Sequence, residues 1–291
     1  MITLHTGGVL IYSFSFEQNL AYLMRSPLEP MYAIEGNKIT RAIEVDDHTH
    51  IFQLSNHEDK LRIDTFEGNS QVVHDFVTEW LDLHYPLSSF YEMATDDPLL
   101  SNAINDYRGL RLIGIPDLFE ALTWGIIGQQ VNLTFAYTLK KRLVETYGHT
   151  VPFNNHSLSL FPQPTTIAEL SIDDLLPLQL SRRKSEYLIH VARHIAEGSL
   201  SKTLLSSELE SAEKQLTNIR GIGPWTANYV LMRCLRYARA FPIDDVGFQN
   251  AMKHVLHSQD KPSKETIMGY AKHWRGFEAY AVFYLWRTLQ G

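Results

Sequence analysis

Residues 216–245 read LTNIRGIGPWTANYVLMRCLRYARAFPIDD, and this stretch decides the fold. Gly221, Ile222 and Gly223 form a short turn between two segments whose apolar residues have helical spacing. Pro224 follows at the first position of the second helix, where the missing N–H of proline costs nothing. The pattern therefore predicts two helices joined by a tight hairpin.

The boundaries of the helices follow from the same stretch. Pro242 ends the second helix, and the carboxylate pair Asp244 and Asp245 opens the next one. The order is therefore helix, hairpin, helix, and then a carboxylate at a helix start. The predicted ranges are Ser211–Ile219, Pro224–Arg239 and residues 244 to about 257.

The hairpin has the features of an anion site. Glycine has no Cβ, so the backbone at Gly221 and Gly223 can come close to a ligand. The first N–H groups of the following helix have no partner within that helix, and its dipole adds partial positive charge. This is an anion site, and a nucleic-acid phosphate bound at Gly221, Gly223 and Thr226 is one candidate ligand. An ordinary tight turn remains the alternative, because one G-x-G is a weak signal.

The neighbours of the hairpin point to a family. Trp225 and Tyr229 are four residues apart and share a helix face, and Asp245 lies just beyond that helix. This arrangement resembles the helix-hairpin-helix DNA glycosylase superfamily, whose G-[IV]-G hairpin is followed some distance on by an aspartate. GIGPWTANY is similar to its alkylpurine branch, the DNA-3-methyladenine glycosylase II type. Three further segments are similar to the same branch: residues 107–131, 183–200 and 277–286.

The resemblance implies that Asp245 is the catalytic residue. Cleavage of an N-glycosidic bond builds positive charge on the sugar, which a nearby carboxylate stabilises. The same carboxylate can orient or deprotonate a water. Asp244 is then expected to cap the helix. Two alternatives stay open: both aspartates only cap, or their roles are exchanged.

Aromatic residues form the expected substrate pocket. The resemblance places Trp225, Tyr229 and Trp286 there. A purine alkylated at N3 or N7 is cationic, and a cation on an aromatic face gains about 0.5–2 kcal/mol. Such a base also leaves readily, so little acid catalysis is needed. The alternative is that Trp225 and Tyr229 are core residues.

The resemblance carries two further implications for the hairpin. Relatives that also cut the DNA backbone place a lysine where this chain has Trp225, and that lysine acts as a Schiff-base nucleophile. We therefore predict a monofunctional enzyme that leaves an abasic site. No cofactor is expected for catalysis. The carbonyls of Thr217, Ile219 and Ile222 are expected to hold a structural monovalent cation, Na⁺ or K⁺.

A second polar site lies within WGIIGQQV, at Gln129 and Gln130. Enzymes that act on a base take it out of the stack, and a side chain fills the gap. In the resembled enzymes an apolar wedge holds the place of Gln130, so we predict a DNA contact there. A buried amide is the alternative. Arg182, Arg183 and Lys184 open a further helix, against its dipole, and either DNA or plain solvation would explain them.

Charge is distributed unevenly along the chain. The net charge is −7, yet residues 1–100 hold 5 basic and 16 acidic residues whereas residues 101–291 hold 21 and 17. The first part thus carries −11 and the second +4, which favours a scaffold role for the former and moderate, salt-dependent DNA affinity for the latter. We assign no zinc site to the histidines and Cys234. A single cysteine also excludes a four-cysteine iron–sulfur cluster.

The predicted fold is an α+β N-terminal domain at residues 1–98 and an all-α helix-hairpin-helix region at residues 99–291. Short β-branched or aromatic runs predict strands in the first part, with a tight turn at Gly36-Asn37 and a helix over Gln71–Leu83. The resemblance implies a TATA-binding-protein-like antiparallel sheet with helices. Residues 151–164, rich in Pro, Asn and Ser, are expected to form a loop.

The resulting hypothesis is a monofunctional glycosylase for alkylated purines that binds damaged double-stranded DNA as a monomer. Two alternatives are a glycosylase of the same fold for oxidised or deaminated bases, and a protein that only recognises damaged DNA. No signal peptide or membrane-spanning run is found in the sequence. One cysteine suits a reducing compartment, so a cytoplasmic, nucleoid-associated protein is expected.

Overall fold

The computed structural model describes residues 2–3, 10–11, 13–58, 60–154, 156–206 and 208–290. Its main sheet is four-stranded and antiparallel, in the order β3-β4-β5-β6. Two further strand pairs, β1-β2 and β7-β8, form separate two-stranded sheets. The strands are β1 Ile2–Thr3, β2 Leu10–Ile11, β3 Ala33–Glu35, β4 Lys38–Val45, β5 His48–His57, β6 Lys60–Glu67, β7 His149–Phe153 and β8 His156–Leu160.

Helices make up most of the rest. They are α1 Phe16–Leu23, α2 Ser70–Trp80, α3 Leu87–Thr95, α4 Ser101–Asp106, α5 Leu118–Ile127, α6 Leu133–Tyr147, α7 Pro164–Ala168, α8 Ile172–Leu175, α9 Arg182–Ala196, α10 Lys202–Leu205, α11 Leu209–Thr217, α12 Pro224–Arg233, α13 Val246–Val255, α14 Lys264–Ala271 and α15 Glu278–Arg287. Short 3₁₀ turns lie at Leu176–Leu178, Lys272–Trp274 and Thr288–Gln290. The predicted fold class, an antiparallel sheet with helices followed by a helical region, is confirmed.

The sheet forms where β-branched and aromatic residues alternate. Glu35 pairs with Lys38 across the predicted two-residue turn, and Gly36 there has φ +59°. One face of the sheet, which includes Phe52, packs against α2, where Trp80 lies 6.4 Å from Phe52 between ring centroids. That burial holds α2 to the sheet within the N-terminal part.

The opposite face of the sheet carries a correction to the sequence analysis. Residues 151–164 were expected to be a loop, but β7 and β8 form an antiparallel hairpin there. Leu158 and Leu160 pack against Ala42 and Ile51 of the sheet. The burial of these leucines outweighs the loop-forming composition of the stretch, a contact that local patterning does not encode.

A second correction concerns α12, which ends at Arg233 and not at Arg239. Arg236 takes a left-handed backbone with φ +62°. Its guanidinium donates to the carbonyls of Leu112, Glu79 and Trp80, and the Leu112 bond is 2.6 Å. These tertiary bonds stop the helix before Pro242 does. Cys234, at the end of the helix, is buried as a core residue.

The core is continuous across residue 98. Tyr91 of α3 and Tyr284 of α15 join hydroxyls at 2.9 Å, and both belong to one apolar cluster with residues of the sheet and of the helical region. The two predicted parts therefore share one core.

A buried ionic cluster also joins the sheet to the helices. Lys140 of α6 contacts Glu29 and Glu120, each at 2.8 Å, and Arg41 of β4 contacts Glu120 at 3.4 Å. Burial opposes the charge on Glu120, but Lys140 and Arg41 outweigh it and lower its pKa below 4.5. Each buried charge in this cluster is therefore stabilised by its oppositely charged partners.

Replacing Lys140 with Met leaves Glu29 without its cation and Glu120 with Arg41 alone. We expect the free energy of unfolding to fall by about 3–5 kcal/mol, as measured by denaturant titration. The pKa of Glu120 is lower in the folded state than in the unfolded state. The contribution of Glu120 to the free energy of unfolding is therefore present above about pH 4.5 and is lost as the pH falls through the folded-state pKa. The variant should therefore lose less stability than wild type on acidification.

The neighbouring Lys141 provides a control. It pairs with Glu145 at 3.7 Å, and its side chain is 42% exposed. Lys141→Met should change stability by less than about 0.5 kcal/mol. Equal losses in the two variants would contradict a structural role for the buried cluster.

Candidate active site and nucleic-acid interface

The hairpin between α11 and α12 depends on two glycines in different ways. Gly221 has φ +99°, and a Cβ there would lie 2.3 Å from the ring of Tyr187. Gly223 has an ordinary φ of −88°, and a Cβ there would meet nothing within 4 Å. Gly221 is therefore needed for the turn itself, whereas the openness at Gly223 leaves room for a ligand against the backbone.

Gly223 is also the N-cap of α12, with Pro224 at the first helical position. The N–H groups of Trp225 and Thr226 fall in the first turn, where an α-helix offers no internal acceptor. The side chain of Thr226 is buried, however, and its hydroxyl accepts from Gln129 Nε2 at 3.2 Å. The predicted phosphate contact of Thr226 therefore depends on its backbone N–H and not on its hydroxyl.

The two glutamines that the sequence left ambiguous take different roles. Gln129 Nε2 donates to the Gly221 carbonyl at 3.0 Å as well as to Thr226, so Gln129 ties the α5–α6 turn to the hairpin. Gln130 is exposed and has a left-handed backbone, with φ +55°. The buried-amide alternative thus describes Gln129, and Gln130 is free to face a ligand. Its role as a DNA contact stays a prediction.

Asp245 occupies the centre of the site. It is the N-cap of α13, and its Oδ1 accepts from the N–H of Phe248 at 2.7 Å and from the indole of Trp286 at 2.8 Å. Its Oδ2 accepts from the indole of Trp225 at 2.9 Å. Three elements, α12, α13 and α15, therefore fix one carboxylate.

The expected capping role of Asp244 is wrong. Asp244 instead pairs with Lys264 at 2.6 Å, and its side chain is 43% exposed. Asp245 caps the helix with one oxygen while the other faces Trp225. The same residue thus performs the cap and holds the carboxylate in place, a combination that the choice between two adjacent aspartates did not foresee.

Gly247 is a site residue that sequence reasoning missed. A Cβ at this position would lie 3.0 Å from Asp245 Oδ1 and 3.5 Å from Trp286 Nε1. Glycine therefore leaves the space in which the indole reaches the carboxylate. The signal available in the sequence was only its place two residues after Asp245.

The three predicted pocket aromatics lie together. Trp225 and Tyr229 have ring centroids 5.8 Å apart, and Tyr229 and Trp286 are 6.1 Å apart. Trp225 and Trp286 are partly exposed, whereas Tyr229 is buried. Burial raises the pKa of Tyr229, and Arg233 Nη1 donates to its hydroxyl at 2.9 Å. Two rings can therefore face a ligand, with Tyr229 as the floor beneath them.

Behind the two partly exposed rings, the aromatic packing continues into buried residues that the sequence analysis did not single out. Phe283 lies 6.2 Å from Trp286, and Tyr22 of α1 lies 4.7 Å from Phe283. Arg25 follows, with its guanidinium carbon 4.1 Å from the Tyr22 ring. The N-terminal part thus packs α1 against the buried side of the site, which is compatible with its expected role as a scaffold.

The carbonyls predicted for a cation lie around the hairpin. Ile219 O accepts from the Ile222 N–H at 3.0 Å. The backbone carbonyl oxygens of Thr217 and Ile222 accept no backbone hydrogen bond from the described residues. Carbonyl oxygens are the donor type that hard cations take, so the set suits such an ion chemically. The cation itself stays a prediction.

The basic start of α9 has a structural cause. Lys184 Nζ donates to the Ile127 carbonyl at 2.7 Å, at the C-terminal end of α5. A cation there satisfies an orphan carbonyl and favours the dipole of α5. Arg182 pairs with Asp173 at 3.1 Å, and Arg183 is exposed. Packing against α5 therefore explains Lys184 without DNA.

No side-chain metal site is found over the described parts of the chain, where no group of three or more metal-ligating residues comes together. His190 and His194 do have H-x-x-x-H spacing on α9, and their Nε2 atoms lie 3.3 Å apart. Two nitrogens are too few for a closed zinc site, and no third ligating side chain joins them within the described residues. No helix of the described residues could cross a membrane.

Two family models match adjoining parts of the chain. The model of the HhH-GPD superfamily of base excision DNA repair proteins matches residues 123–275, and that of the 8-oxoguanine DNA glycosylase N-terminal domain matches residues 28–122. These two matches meet after residue 122, later than the predicted boundary at residue 98.

Individual relatives are similar over most of the chain. A DNA-3-methyladenine glycosylase of Bacillus subtilis is 45% identical, over 95% of this chain and 94% of its own. DNA-3-methyladenine glycosylase 2 of Escherichia coli is 32% identical, over 62% of this chain and 61% of its own. The structure of the 3-methyladenine DNA glycosylase of Archaeoglobus fulgidus has the same fold, with a TM-score of 0.83, 24% identity and 96% of each chain covered.

With the hairpin, the capped aspartate and two indole donors assembled as described, and with 45% identity over almost the whole length, the chain belongs to the HhH-GPD superfamily of base excision DNA repair proteins and is homologous to the DNA-3-methyladenine glycosylases.

Proposed function

We propose that this chain is a monofunctional DNA glycosylase that removes alkylated purines, of the 3-methyladenine and 7-methylguanine type, and leaves an abasic site. The observation that carries the proposal is the Asp245 carboxylate, held by two tryptophan N–H groups at 2.8 and 2.9 Å beside an aromatic surface. The names of the two homologues support the substrate class.

Asp245 acts on the sugar. As the bond between C1′ and the base breaks, its electron pair goes to the base, and the sugar gains oxocarbenium character that the carboxylate stabilises. Water then supplies the hydroxyl at C1′, and its proton goes to Asp245 or to solvent. Oδ2 accepts one hydrogen bond, from Trp225, and a carboxylate oxygen accepts two, so one lone pair remains for this work.

The aromatic rings act on the base. A flipped purine placed against Trp225 and Trp286 would bring its glycosidic bond near Asp245, because both indoles bond that carboxylate. A cationic alkylated base gains about 0.5–2 kcal/mol on such faces and departs as a neutral molecule. The site therefore needs no strong general acid.

The lack of lyase activity that we propose follows from Trp225. Cleavage of the backbone through a Schiff base requires an amine nucleophile. Trp225 has none, and its indole is engaged with Asp245. Hydrolysis by water is the reaction that this arrangement supports.

Double-stranded DNA would bind across the hairpin. The backbone around Gly223 and the first N–H groups of α12 would hold a phosphate, and a monovalent cation on the carbonyls of Thr217, Ile219 and Ile222 would add positive charge there. The exposed Gln130 follows Gln129, which bonds the hairpin, and would contact the same DNA. We propose that the protein acts as a monomer.

Replacing Asp245 with Asn tests the catalytic role. Asparagine keeps the cap on the Phe248 N–H, but it lacks the negative charge, and its NH₂ group faces an indole donor. We expect release of free 3-methyladenine and 7-methylguanine from methylated DNA to fall on the order of 10²–10⁴-fold. Strands treated with wild type should stay uncut until alkali is added.

The adjacent Asp244→Asn variant is the control. Asp244 pairs with Lys264 at the surface, so its loss should change base release less than about twofold. Equal losses in the two variants would contradict the assignment of Asp245. Absence of release by folded, DNA-binding wild type would remove the alkylpurine proposal, and a panel of oxidised and deaminated bases would then identify the substrate.

Gly223→Ala tests the phosphate site. The added methyl group meets no atom of the protein within 4 Å, so the melting temperature should not change. It would occupy the space that a phosphate needs, and we expect DNA affinity to fall about tenfold in a fluorescence anisotropy titration. Gly221→Ala should lower both affinity and stability, because of its φ of +99°. Unchanged affinity in Gly223→Ala would place the DNA elsewhere.

A further inference from the structure

A small cavity lies where α1 and the sheet meet α5, α6 and α12. Its volume is about 30 Å³. One water needs about 10–15 Å³ measured in the same way, so the cavity has room for two waters or for one monatomic ion. The charged residues that line it are four cations and two carboxylates: Arg25, Arg41, Lys140 and Arg233, with Glu29 and Glu120. The wall of the cavity therefore has an excess of positive charge.

The two carboxylates neutralise only two of the four cations. Lys140 contacts Glu29 and Glu120, each at 2.8 Å, and Arg41 contacts Glu120 at 3.4 Å. These two cations and two anions balance one another. The excess charge of the cavity therefore belongs to the two remaining arginines.

Arg25 and Arg233 are bonded only to neutral acceptors. Arg25 Nε donates to the Tyr137 hydroxyl at 2.5 Å. Arg233 donates from Nε to the Ile113 carbonyl at 2.6 Å and from Nη1 to the Tyr229 hydroxyl at 2.9 Å. Within the described residues, neither guanidinium has a carboxylate partner, and no hydrogen bond is made by the terminal nitrogens of Arg25 or by Nη2 of Arg233. Donors thus remain on both groups.

The two guanidinium groups are close enough to repel each other. Both lie against the ring of Tyr22, with carbon-to-centroid distances of 4.1 Å for Arg25 and 5.8 Å for Arg233. Burial, and the positive charge of Arg25, lower the pKa of Arg233. An unpaired charge in a protein interior is costly, and a second one of the same sign increases that cost.

Tyr22 adds an unpaired donor to the same cavity. Its side chain is buried and lines the cavity, and its hydroxyl has no hydrogen-bond partner among the described residues. A buried hydroxyl without an acceptor costs free energy. A ligand that accepts hydrogen bonds and carries negative charge would satisfy Tyr22 and both arginines together. Arg25 is partly exposed, which leaves such a ligand a path of entry.

We propose that this cavity binds one small monovalent anion of the halide type, chloride under ordinary conditions. The anion accepts from the free guanidinium nitrogens of Arg25 and Arg233 and from the Tyr22 hydroxyl. Guanidinium is weakly hydrated, which suits a halide partner. Two waters would fill the same volume without compensating the charge. The site goes beyond the proposed glycosylase function and needs no DNA.

Thermal melting at constant ionic strength tests the site. Chloride replaces gluconate, which is too large for the cavity. We expect the melting temperature of wild type to rise by about 3–6 °C between about 2 and about 200 mM chloride, because the anion binds only the folded state. Bromide should act in the same way. In crystals grown with bromide, an anomalous difference map should show a peak between the guanidinium groups of Arg25 and Arg233.

Two arginine variants separate the cavity from the surface. Arg25→Gln removes one of the two unpaired cations, so the chloride-dependent shift should fall below about a third of the wild-type value. Arg239→Gln removes an exposed arginine that pairs with Glu210, so it should keep the full shift.

Tyr22→Phe should change stability with opposite sign in the two salts. In gluconate the variant loses an unpaired buried hydroxyl, so its melting temperature should equal or exceed that of wild type. In chloride it loses a donor to the anion, and its melting temperature should lie about 2–4 °C below that of wild type.

The outcomes are distinct. A chloride-dependent shift that Arg239→Gln keeps and Arg25→Gln loses supports the proposal. Equal melting temperatures of wild type in chloride and gluconate would mean that water fills the cavity, and this result would overturn it. An undiminished shift in Arg25→Gln, or bromide found only at other places, would overturn it as well. These measurements use neither DNA nor base release, so the proposed function is tested separately.

Discussion

The site depends on the hydrogen bonding of one carboxylate. Asp245 accepts from the backbone at the start of α13, from the indole of Trp286 on α15 and from the indole of Trp225 on α12. Three donors that converge on a partly buried anion give it a fixed orientation, and the N-terminal end of α13 favours its charge. Because the donors come from three helices, the packing of those helices sets the position of the reactive group.

The hairpin owes its place to polar contacts as well as to glycine. Gln129 bonds the carbonyl of Gly221 and the hydroxyl of Thr226, so the α5–α6 turn supports the hairpin from one side. Lys184 closes the C-terminal end of α5 and ties α9 to the same turn. A phosphate-binding backbone needs this support, since ordered N–H groups bind an anion without a further loss of entropy.

The N-terminal sheet is more than an acidic scaffold. The charge cluster of Arg41, Glu120, Lys140 and Glu29 fixes the sheet against α5 and α6 through fully interdependent ion pairs. Tyr22 of α1 is buried against Phe283, in the aromatic packing behind Trp286. The acidic N-terminal part can therefore bury Arg41 where the sheet meets α5.

The sequence by itself determined the local elements: the Gly-Ile-Gly hairpin, the helices around it, the Gly36-Asn37 turn and the place of Asp245 at a helix start. Periodicity, turn chemistry and capping are short-range, so a linear pattern carries them. Tertiary structure decided the rest: the end of α12, the β7-β8 hairpin, the contact of Gln129 with the hairpin, and the indole bonds that hold Asp245. Each of these depends on a partner far away in the chain, such as Leu112 for Arg236 or Trp286 for Asp245. Such contacts form only when the whole core has folded, so no local sequence pattern encodes them.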